Sequence, residues 1–385
     1  MLFTRHSVLK RGCSIWDKLE MPEEEFQGRL EKTRQEMVQR DLDALVIYGD
    51  NWCYADLCYL TNYFPKVRGG IGLVPRSGPI SLLLNIGSRD VPFARSLTWV
   101  EDVRASNLLG RDGAELIKEK KLARARVGLV DSGKGFPLPQ LEELKNALPQ
   151  VEWDTCDSFL QRMRLRKSAR EVAALRAAAR VLNEVCAEAQ NLIQTGKKER
   201  EVVAEIDRLG RNKGVEDIRI LAGDKRLRPP GAGMNGSVKS HWSLYLAIQH
   251  RRYWVEAGRT FNLDDDAALE AAHSKARDTV GKMAACLKAG NAVNDADAVA
   301  REQLGELHAA ASKYGLGNGL GLSQWEAPFL DEDEARQQGI AGGESMVLEN
   351  DMAVALRVAF ESESKLILFG DSYQVTPSGP VLLFS

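Results

Sequence analysis

The first 160 residues alternate short apolar runs with charged, helix-favouring stretches, and this alternation narrows the possible folds more than any other feature. The clearest run is 44–48, which reads ALVIY and is followed by Gly49 and Asp50. Runs of the same character lie at 71–74, 80–84 and 127–130. Short apolar runs bounded by turn residues are typical of buried strands. Strands that alternate with helical stretches predict an α/β domain, which we place at residues 1–160.

A second domain, over residues 161–385, is predicted from a strong helix-start signal. Ser168 is followed three residues later by Glu171, which is the pattern of a capping box. Apolar residues then recur at helical spacing up to Cys186, and Gly196 is expected to end the helix. Further helices are predicted at 199–213, 267–288 and 294–312. Strands are predicted at 244–249, 253–261, 352–360, 365–369 and 381–384.

Composition limits the classes of function. The chain has 385 residues, 44% of them hydrophobic and 28% charged, as in an ordinary soluble globular protein. Its net charge of -2 gives no electrostatic reason to expect binding to nucleic acid or an anionic membrane. We find no apolar run of about 18 residues and no signal-peptide pattern at the N-terminus. The six cysteines form no Cys-x-x-Cys pair, so we expect a cytoplasmic protein.

Three segments, in the right order, resemble motifs of one enzyme family. Segment 317–328 reads GNGLGLSQWEAP and resembles the G-H-G-I-G-L-x-x-H-E-x-P motif of the creatinase, prolidase and methionine aminopeptidase ("pita-bread") family. Segment 253–261 reads YWVEAGRTF and resembles the family's G-Y-x-x-D-x-T-R-T-F strand. Segment 164–180 resembles the entry to the family's catalytic domain. The resemblance implies an α/β N-terminal domain followed by an α+β pita-bread domain.

The resemblance also implies that the metal site of the family is missing. Family members hold two divalent ions with two Asp, one His and two Glu. By resemblance, the corresponding positions here are Tyr245, Glu256, Asn318, Arg357 and Gly370. One carboxylate remains, and an arginine, whose side chain stays protonated in proteins, stands among the positions. We therefore expect no catalytic metal and no cofactor.

Four residues are candidates for catalysis. Glu256 and Arg357 face one cavity in the family fold, where they could form a functional fork or a structural ion pair in an inactive site. Tyr245 could donate a hydrogen bond to a substrate carbonyl or pack as a core aromatic residue. His241 could act as the general acid or base, as a His does in metal-free creatinase, or be a loop residue. The family position of that His falls at Arg228.

The remaining candidates concern substrate binding. Asn318 and Trp325 stand where the motif has its two histidines, and Trp325 with Trp254 could form an aromatic wall. Glu326 could orient loops, act as a base or be structural. In creatinase-like dimers the loop equivalent to Arg68, with Tyr63 and Phe64, reaches the partner's pocket, so the resemblance implies a carboxylate-binding role for Arg68 and a homodimer. Arg228 is a further anion-binding candidate.

Three hypotheses follow. The first is a metal-independent, creatinase-like hydrolase or lyase that acts on a C–N or C–C bond of a small, carboxylate-bearing and possibly aromatic substrate. The second is a non-catalytic ligand- or protein-binding module on a peptidase scaffold. The third is a conventional Xaa-Pro aminopeptidase or dipeptidase, against which the missing ligands argue.

Overall fold

The computed structural model describes residues 16–65, 68–130, 133, 135–231, 233–330 and 346–384. Contacts divide the chain into two units, Met1–Arg164 and Leu165–Ser385. The sequence analysis placed this boundary near residue 160. The N-terminal segment inspected for a signal peptide lies outside the described residues. No helix in the described ranges is long and apolar enough to cross a bilayer.

The N-terminal unit is a layer of helices against a mixed sheet. Its helices are α1 (Glu23–Gln39), α2 (Ala55–Thr61), α3 (Val91–Arg95), α4 (Leu109–Glu119), α5 (Leu138–Asn146) and α6 (Phe159–Leu165). Its strands are β1 (Ala44–Gly49), β2 (Gly70–Pro75), β3 (Ser81–Leu84), β4 (Asp102–Ala105), β5 (Arg126–Val130) and β6 (Glu152–Thr155). They form one sheet in the order β4-β3-β2-β1-β5-β6. The predicted α/β layer and its four predicted strands are thus confirmed.

The central strand explains why this sheet forms. Every residue of β1 is buried, and β1 pairs antiparallel with β2 on one side and parallel with β5 on the other. A strand buried on both faces needs apolar residues at successive positions, which the run at 44–48 supplies. One apolar core contains Ile71 and Leu83 from the sheet with Leu116 of α4 and Leu144 of α5.

In its described residues, the C-terminal unit combines five α-helices with an antiparallel sheet. The helices are α7 (Ala169–Leu192), α8 (Glu199–Asn212), α9 (Ala267–Ala285), α10 (Asp295–Leu304) and α11 (His308–Ser312). The strands are β7 (Asp217–Gly223), β8 (His241–His250), β9 (Tyr253–Asn262), β10 (Gly317–Gly319), β11 (Glu326–Phe329), β12 (Ala353–Ser362), β13 (Lys365–Thr376) and β14 (Gly379–Leu382). The sheet order is β11-β10-β12-β13-β9-β8-β7, and β14 pairs with β13.

Local sequence signals account for the helix boundaries in this unit. The predicted capping box is present, with the Ser168 side chain accepting from the Glu171 N–H and the Glu171 carboxylate accepting from the Ser168 N–H. The predicted helix at 294–312 is instead interrupted by a 3-10 turn at Gly305–Leu307. Gly305 has φ +57, which glycine adopts without steric cost, so the chain turns there instead of continuing the helix.

One face of the C-terminal sheet is packed against helices, and this leaves the other face for a site. Alternate residues of β12 (Val354, Leu356, Val358 and Phe360) join one apolar core with Val280 of α9 and Ala300 of α10. Because successive side chains of a strand point to opposite faces, Arg357 and Ala359 lie on the face away from this core.

A buried ion pair fixes β11 to the segment that precedes α7. The Nζ atom of Lys167 lies 2.7 Å from Oε1 of Glu326, and the two side chains are 1% and 3% exposed. Gly321 lies against this pair, since a Cβ there would come within 2.1 Å of the same Glu326 oxygen. Gly321 and Glu326 of segment 317–328 therefore stabilise the local structure.

We expect Glu326→Gln to lower the free energy of unfolding by about 3–5 kcal/mol, because it removes the negative charge that lies 2.7 Å from the buried Lys167 ammonium. Urea denaturation of the purified protein measures this change. Glu184→Gln is the control, since Glu184 pairs with Lys213 at 2.8 Å on the surface and its loss should leave the midpoint unchanged. Equal midpoints for wild type and Glu326→Gln would contradict the structural role.

Candidate functional site

The strand register gathers residues from four strands into one row on the sheet face away from the helices. Arg357 of β12 is opposite Gly370 of β13, Gly370 is opposite Gly258 of β9, and Gly258 is opposite Tyr245 of β8. Glu256 lies two residues from Gly258 and therefore on the same face. Residues more than a hundred positions apart in sequence thus meet at one place.

A buried carboxylate stands at the centre of this row. Oε1 of Glu256 accepts a hydrogen bond from Nη1 of Arg357 at 2.6 Å, and Oε2 accepts one from the Tyr245 hydroxyl at 2.6 Å. Nη1 of Arg357 also donates to Oδ1 of Asn318 at 2.8 Å. Such charge-assisted bonds are short and fix both partners. The Glu256 side chain is therefore held in one orientation from two sides.

The loop between β10 and β11 closes over this carboxylate. Nε2 of Gln324 donates to the Tyr245 hydroxyl oxygen at 2.8 Å, and Nδ2 of Asn318 donates to the Gln324 carbonyl at 2.9 Å. Burial, and then the nearby Glu256 charge, raises the pKa of Tyr245 well above its ordinary value. The phenol therefore stays protonated at neutral pH and acts as a donor to Glu256.

Two glycines make room for the side chain of Arg357, one at its Cβ and one at its guanidinium. A Cβ at Gly370 would lie 2.9 Å from the Arg357 Cβ, and one at Gly315 would lie 2.9 Å from its Nη2. These distances are shorter than normal carbon and nitrogen contacts, so a larger residue at either position would displace the arginine. By resemblance, Gly370 is also the position of the family's second metal-binding Glu.

The described residues at this place do not fit a divalent metal ion. Nowhere in the described ranges do three His, Cys, Asp or Glu side chains lie close enough together to hold one. Around Glu256, the neighbours at hydrogen-bonding distance are a permanently charged guanidinium and a protonated phenol. A metal ion would have to replace the cation that neutralises this carboxylate.

A cavity of ≈ 440 Å³ opens onto the network and is of the size that binds small molecules. Its described lining combines the polar network with apolar and aromatic side chains. The lining residues are Arg219, Leu221, Leu227, Tyr245, Glu256, Tyr314, Asn318, Gln324, Trp325, Arg357, Ala359 and Leu368. Trp325 is 58% exposed, which places it at the entrance.

The structure brings five of the sequence-predicted residues to this cavity, namely Tyr245, Glu256, Asn318, Trp325 and Arg357. His241 does not line it. It stands at the start of β8, where it is buried and its Nε2 lies 2.7 Å from the Asp224 carbonyl oxygen. Three residues of extended strand separate it from Tyr245, so its proposed role as acid or base has no support from distance.

Three other candidates lie outside the described lining. Glu326 is held by Lys167, as described above. Arg228 donates from Nη2 to Oε1 of Glu199 at 2.7 Å. Trp254 is buried beneath the guanidinium of Arg219, whose carbon lies 5.6 Å from the ring centroid. Trp254 therefore supports a cavity residue and does not itself form the expected wall.

Three of the predicted substrate-binding residues, Tyr63, Phe64 and Arg68, belong to the N-terminal unit. Phe64 is buried and stacks on Tyr54 with ring centroids 3.8 Å apart, and Tyr63 is also buried. Arg68 is exposed and donates from Nη1 to Oδ1 of Asn85 at 3.1 Å. Residues 66 and 67 of the same loop lie outside the described residues. The carboxylate-binding role of Arg68 and the homodimer stay predictions.

Gln324, Tyr314 and Arg219 line the cavity but are not among the site residues predicted from the sequence. Gln324 lies inside segment 317–328, but the motif leaves its position unspecified, so the resemblance points to Asn318 and Trp325 instead. Arg219 belongs to β7, which reads DIRILAG and was not recognised as a strand. The alternation of Ile218 and Ile220 with the charged residues Asp217 and Arg219 was the available signal, since it predicts two distinct faces. No local pattern pointed to Tyr314.

Comparison with known proteins identifies both units. Metallopeptidase family M24 matches residues 173–377, and the Creatinase/Prolidase N-terminal domain matches residues 29–166. An uncharacterized peptidase of Staphylococcus aureus (strain bovine RF122 / ET3-1) is 21% identical over 337 residues, covering 83% of this chain and 94% of the relative. The Xaa-Pro dipeptidase of Pyrococcus horikoshii is 24% identical over 225 residues, covering 56% and 64%.

Solved structures show the same fold. The prolidase from Pyrococcus horikoshii OT3 superposes with a TM-score of 0.76 at 18% identity, covering 93% of this chain and 98% of that one. The X-Pro aminopeptidase from Thermotoga maritima MSB8 gives 0.77 at 18% identity, covering 93% and 97%. The predicted α/β domain followed by an α+β pita-bread domain is therefore confirmed. With a Creatinase/Prolidase N-terminal domain and a matching catalytic-type domain, this chain belongs to metallopeptidase family M24, a family of peptidase-type hydrolases.

Proposed function

We propose that this chain is a hydrolase that works without a metal ion and cleaves a C–N bond in a small, carboxylate-bearing substrate. One observation carries the proposal: the Glu256 carboxylate, on the wall of a ≈ 440 Å³ cavity, is oriented by Arg357 and Tyr245, each at 2.6 Å. A carboxylate with fixed orientation in a ligand-sized cavity can serve as a general base.

The proposed reaction is a water attack on an amide carbonyl. Glu256 takes a proton from a water molecule while the water oxygen forms a bond to the carbonyl carbon. The C–N bond then breaks, and the leaving nitrogen takes the proton from Glu256, so the carboxylate is regenerated. Proton transfer by a positioned side chain of this kind typically contributes 10²–10⁴-fold to the rate.

Fixed hydrogen-bond donors supply the electrostatic stabilisation in this scheme. Gln324 lines the cavity and is already tied to Tyr245, so its amide lies beside the reacting groups. Donors held in place before the reaction can stabilise the negative charge that develops on the carbonyl oxygen. Arg357, which is committed to Glu256, Asn318 and the Tyr314 carbonyl, acts as a positioning residue for the base.

A second candidate is cleavage of Xaa-Pro dipeptides, because one relative is named an Xaa-Pro dipeptidase. An Xaa-Pro dipeptide is also a small amide with a free carboxylate. It therefore belongs in the same substrate panel, together with N-acylated amino acids. For either substrate, the residues around Glu256 favour a hydrolysis mechanism that does not use a metal ion.

We expect that exhaustive dialysis against a chelator will leave both catalytic rate and thermal midpoint unchanged. The reason is that Arg357 already neutralises the carboxylate that a metal ion would need. A ligand that binds only the folded protein raises its stability, so removal of a resident ion would lower the midpoint. Elemental analysis of the purified protein, before and after dialysis, completes the measurement.

Addition of manganese, zinc or cobalt to the dialysed protein is the control. It should change neither quantity. Stoichiometric metal in the purified protein, or a rate restored by one of these ions, would contradict the proposal and favour a conventional metallopeptidase.

We expect Glu256→Gln to lower kcat by about 10²–10⁴-fold, because an amide has a similar shape but cannot accept the water proton. The matched control is Asp371→Asn. Asp371 pairs with Arg259 at 2.6 Å, but it is opposite Leu356, on the sheet face that packs against the helices. Burial raises the pKa of Asp371 against the opposing effect of Arg259, so this pair is also desolvated.

The two variants separate catalysis from folding. Each breaks an Arg–carboxylate pair in the same sheet, so circular dichroism should report comparable losses of stability. Only Glu256→Gln should lose rate per folded molecule, measured as amine release from the substrate panel. Equal rates for Glu256→Gln and wild type would rule out Glu256 as the base. If wild type binds the panel without cleaving it, the chain is a ligand-binding module.

A further inference from the structure

We infer that Arg219 selects the ligand of the cavity, and that the ligand is a carboxylate attached to an apolar, aromatic-sized body. The inference rests on the proposed function for the identity of the reaction, but its evidence comes from the cavity walls. Arg219 belongs to none of the three motif segments, and its position follows from the strand register alone.

The guanidiniums of Arg357 and Arg219, which both belong to the described lining of the cavity, differ in burial and in their partners. That of Arg357 is buried and hydrogen-bonded to Glu256, Asn318 and the Tyr314 carbonyl. Arg219 is exposed, and its salt bridge is with Asp217 at 3.1 Å, whose side chain is also partly exposed. Exposed pairs of this kind contribute little and exchange readily with other anions. Among the described residues that line the cavity, Arg219 is therefore the cation that a ligand can engage.

The position of Arg219 is fixed relative to the proposed base. Arg219 of β7 is opposite Ala247 of β8, and Ala247 is opposite Glu256 of β9. Two strand spacings separate Arg219 from Glu256, about 10 Å between Cα atoms. The indole of Trp254 lies beneath the guanidinium at 5.6 Å and restricts its orientation by a cation–π contact. A small ligand can thus reach both residues.

Charge and polarity of the walls define the ligand class. Two guanidiniums and one carboxylate face the cavity, so its described lining carries one net positive charge. The remaining wall is largely apolar or aromatic. Leu221, Leu227 and Leu368 are its aliphatic residues, and Tyr314 and Trp325 contribute aromatic rings. A monoanion with an apolar body matches both properties, and the arginine fork matches carboxylate geometry.

Binding of N-benzoylglycine, compared with its methyl ester, tests this inference. Isothermal titration calorimetry should show that wild type binds the acid about 10–100-fold more tightly than the ester, as one charge-assisted bond predicts. Arg219→Gln should lower affinity for the acid by the same factor and leave the ester unchanged. Arg219→Lys, which keeps the charge but loses the fork, should be intermediate.

Arg200→Gln is the matched control. Arg200 is an exposed arginine of the same unit that lines a neighbouring groove of ≈ 610 Å³ and not the cavity at Glu256. Because Arg219 also borders this groove, Arg200→Gln shows whether the acid binds there instead. It should leave both affinities unchanged. No binding of the acid to wild type, equal affinity for acid and ester, or an equal effect of Arg219→Gln on both would overturn the inference.

Release of the amino acid in the same samples separates this inference from the proposed function. If wild type binds the acid through Arg219 but releases no glycine from it and no amino acid from the rest of the substrate panel, the inference stands and the hydrolase proposal fails. If glycine is released and Arg219→Gln leaves KM for the acid unchanged, the hydrolase proposal stands and the inference fails.

Discussion

The ion pair between Arg357 and Glu256 is the interaction on which the organisation of the cavity depends. Its 2.6 Å bond lies on a sheet face covered by a loop, and both side chains are buried. Burial removes the hydration of both charges, and the free energy lost in this way is often as large as the free energy gained from their attraction. The pair is therefore poorly explained as a source of stability. It is better explained by the specificity of the arrangement, because it sets the position of Asn318, Tyr245 and, through them, Gln324.

This arrangement combines a family fold with a cavity in which a carboxylate is paired with a guanidinium. The glycine frame at 317–321 still shapes the loop, and Glu326 still anchors it through Lys167. Function in such folds depends on the residues of the site and not on the scaffold, so family membership leaves the reaction to be tested.

Much of the fold was predictable because its signals are local. Apolar runs predicted β1, β2, β3 and β5. A serine with a glutamate three residues later predicted the start of α7. The grouping of Tyr245, Glu256, Asn318 and Arg357 was also predictable, although by resemblance and not by any local pattern. Arg219 and Gln324 were not predicted, because their roles arise from strand register and loop closure. His241 is a chemically suitable residue that is close in sequence to Tyr245, but it is not among the described residues that line the cavity.

Gly315 and Gly370 have a consequence for how this site could change over time. Both positions are occupied by glycine against the Arg357 side chain, and a Cβ at either one would collide with it. At position 370 the added Cβ would also meet the Leu356 carbonyl oxygen, and every residue other than glycine at 357 keeps the Cβ that it meets, so a larger residue at 370 requires the strands to shift. Loss of the arginine alone would leave the Glu256 carboxylate buried without that cation. A single substitution at any of these positions is therefore destabilising, so the packing makes their evolution epistatic.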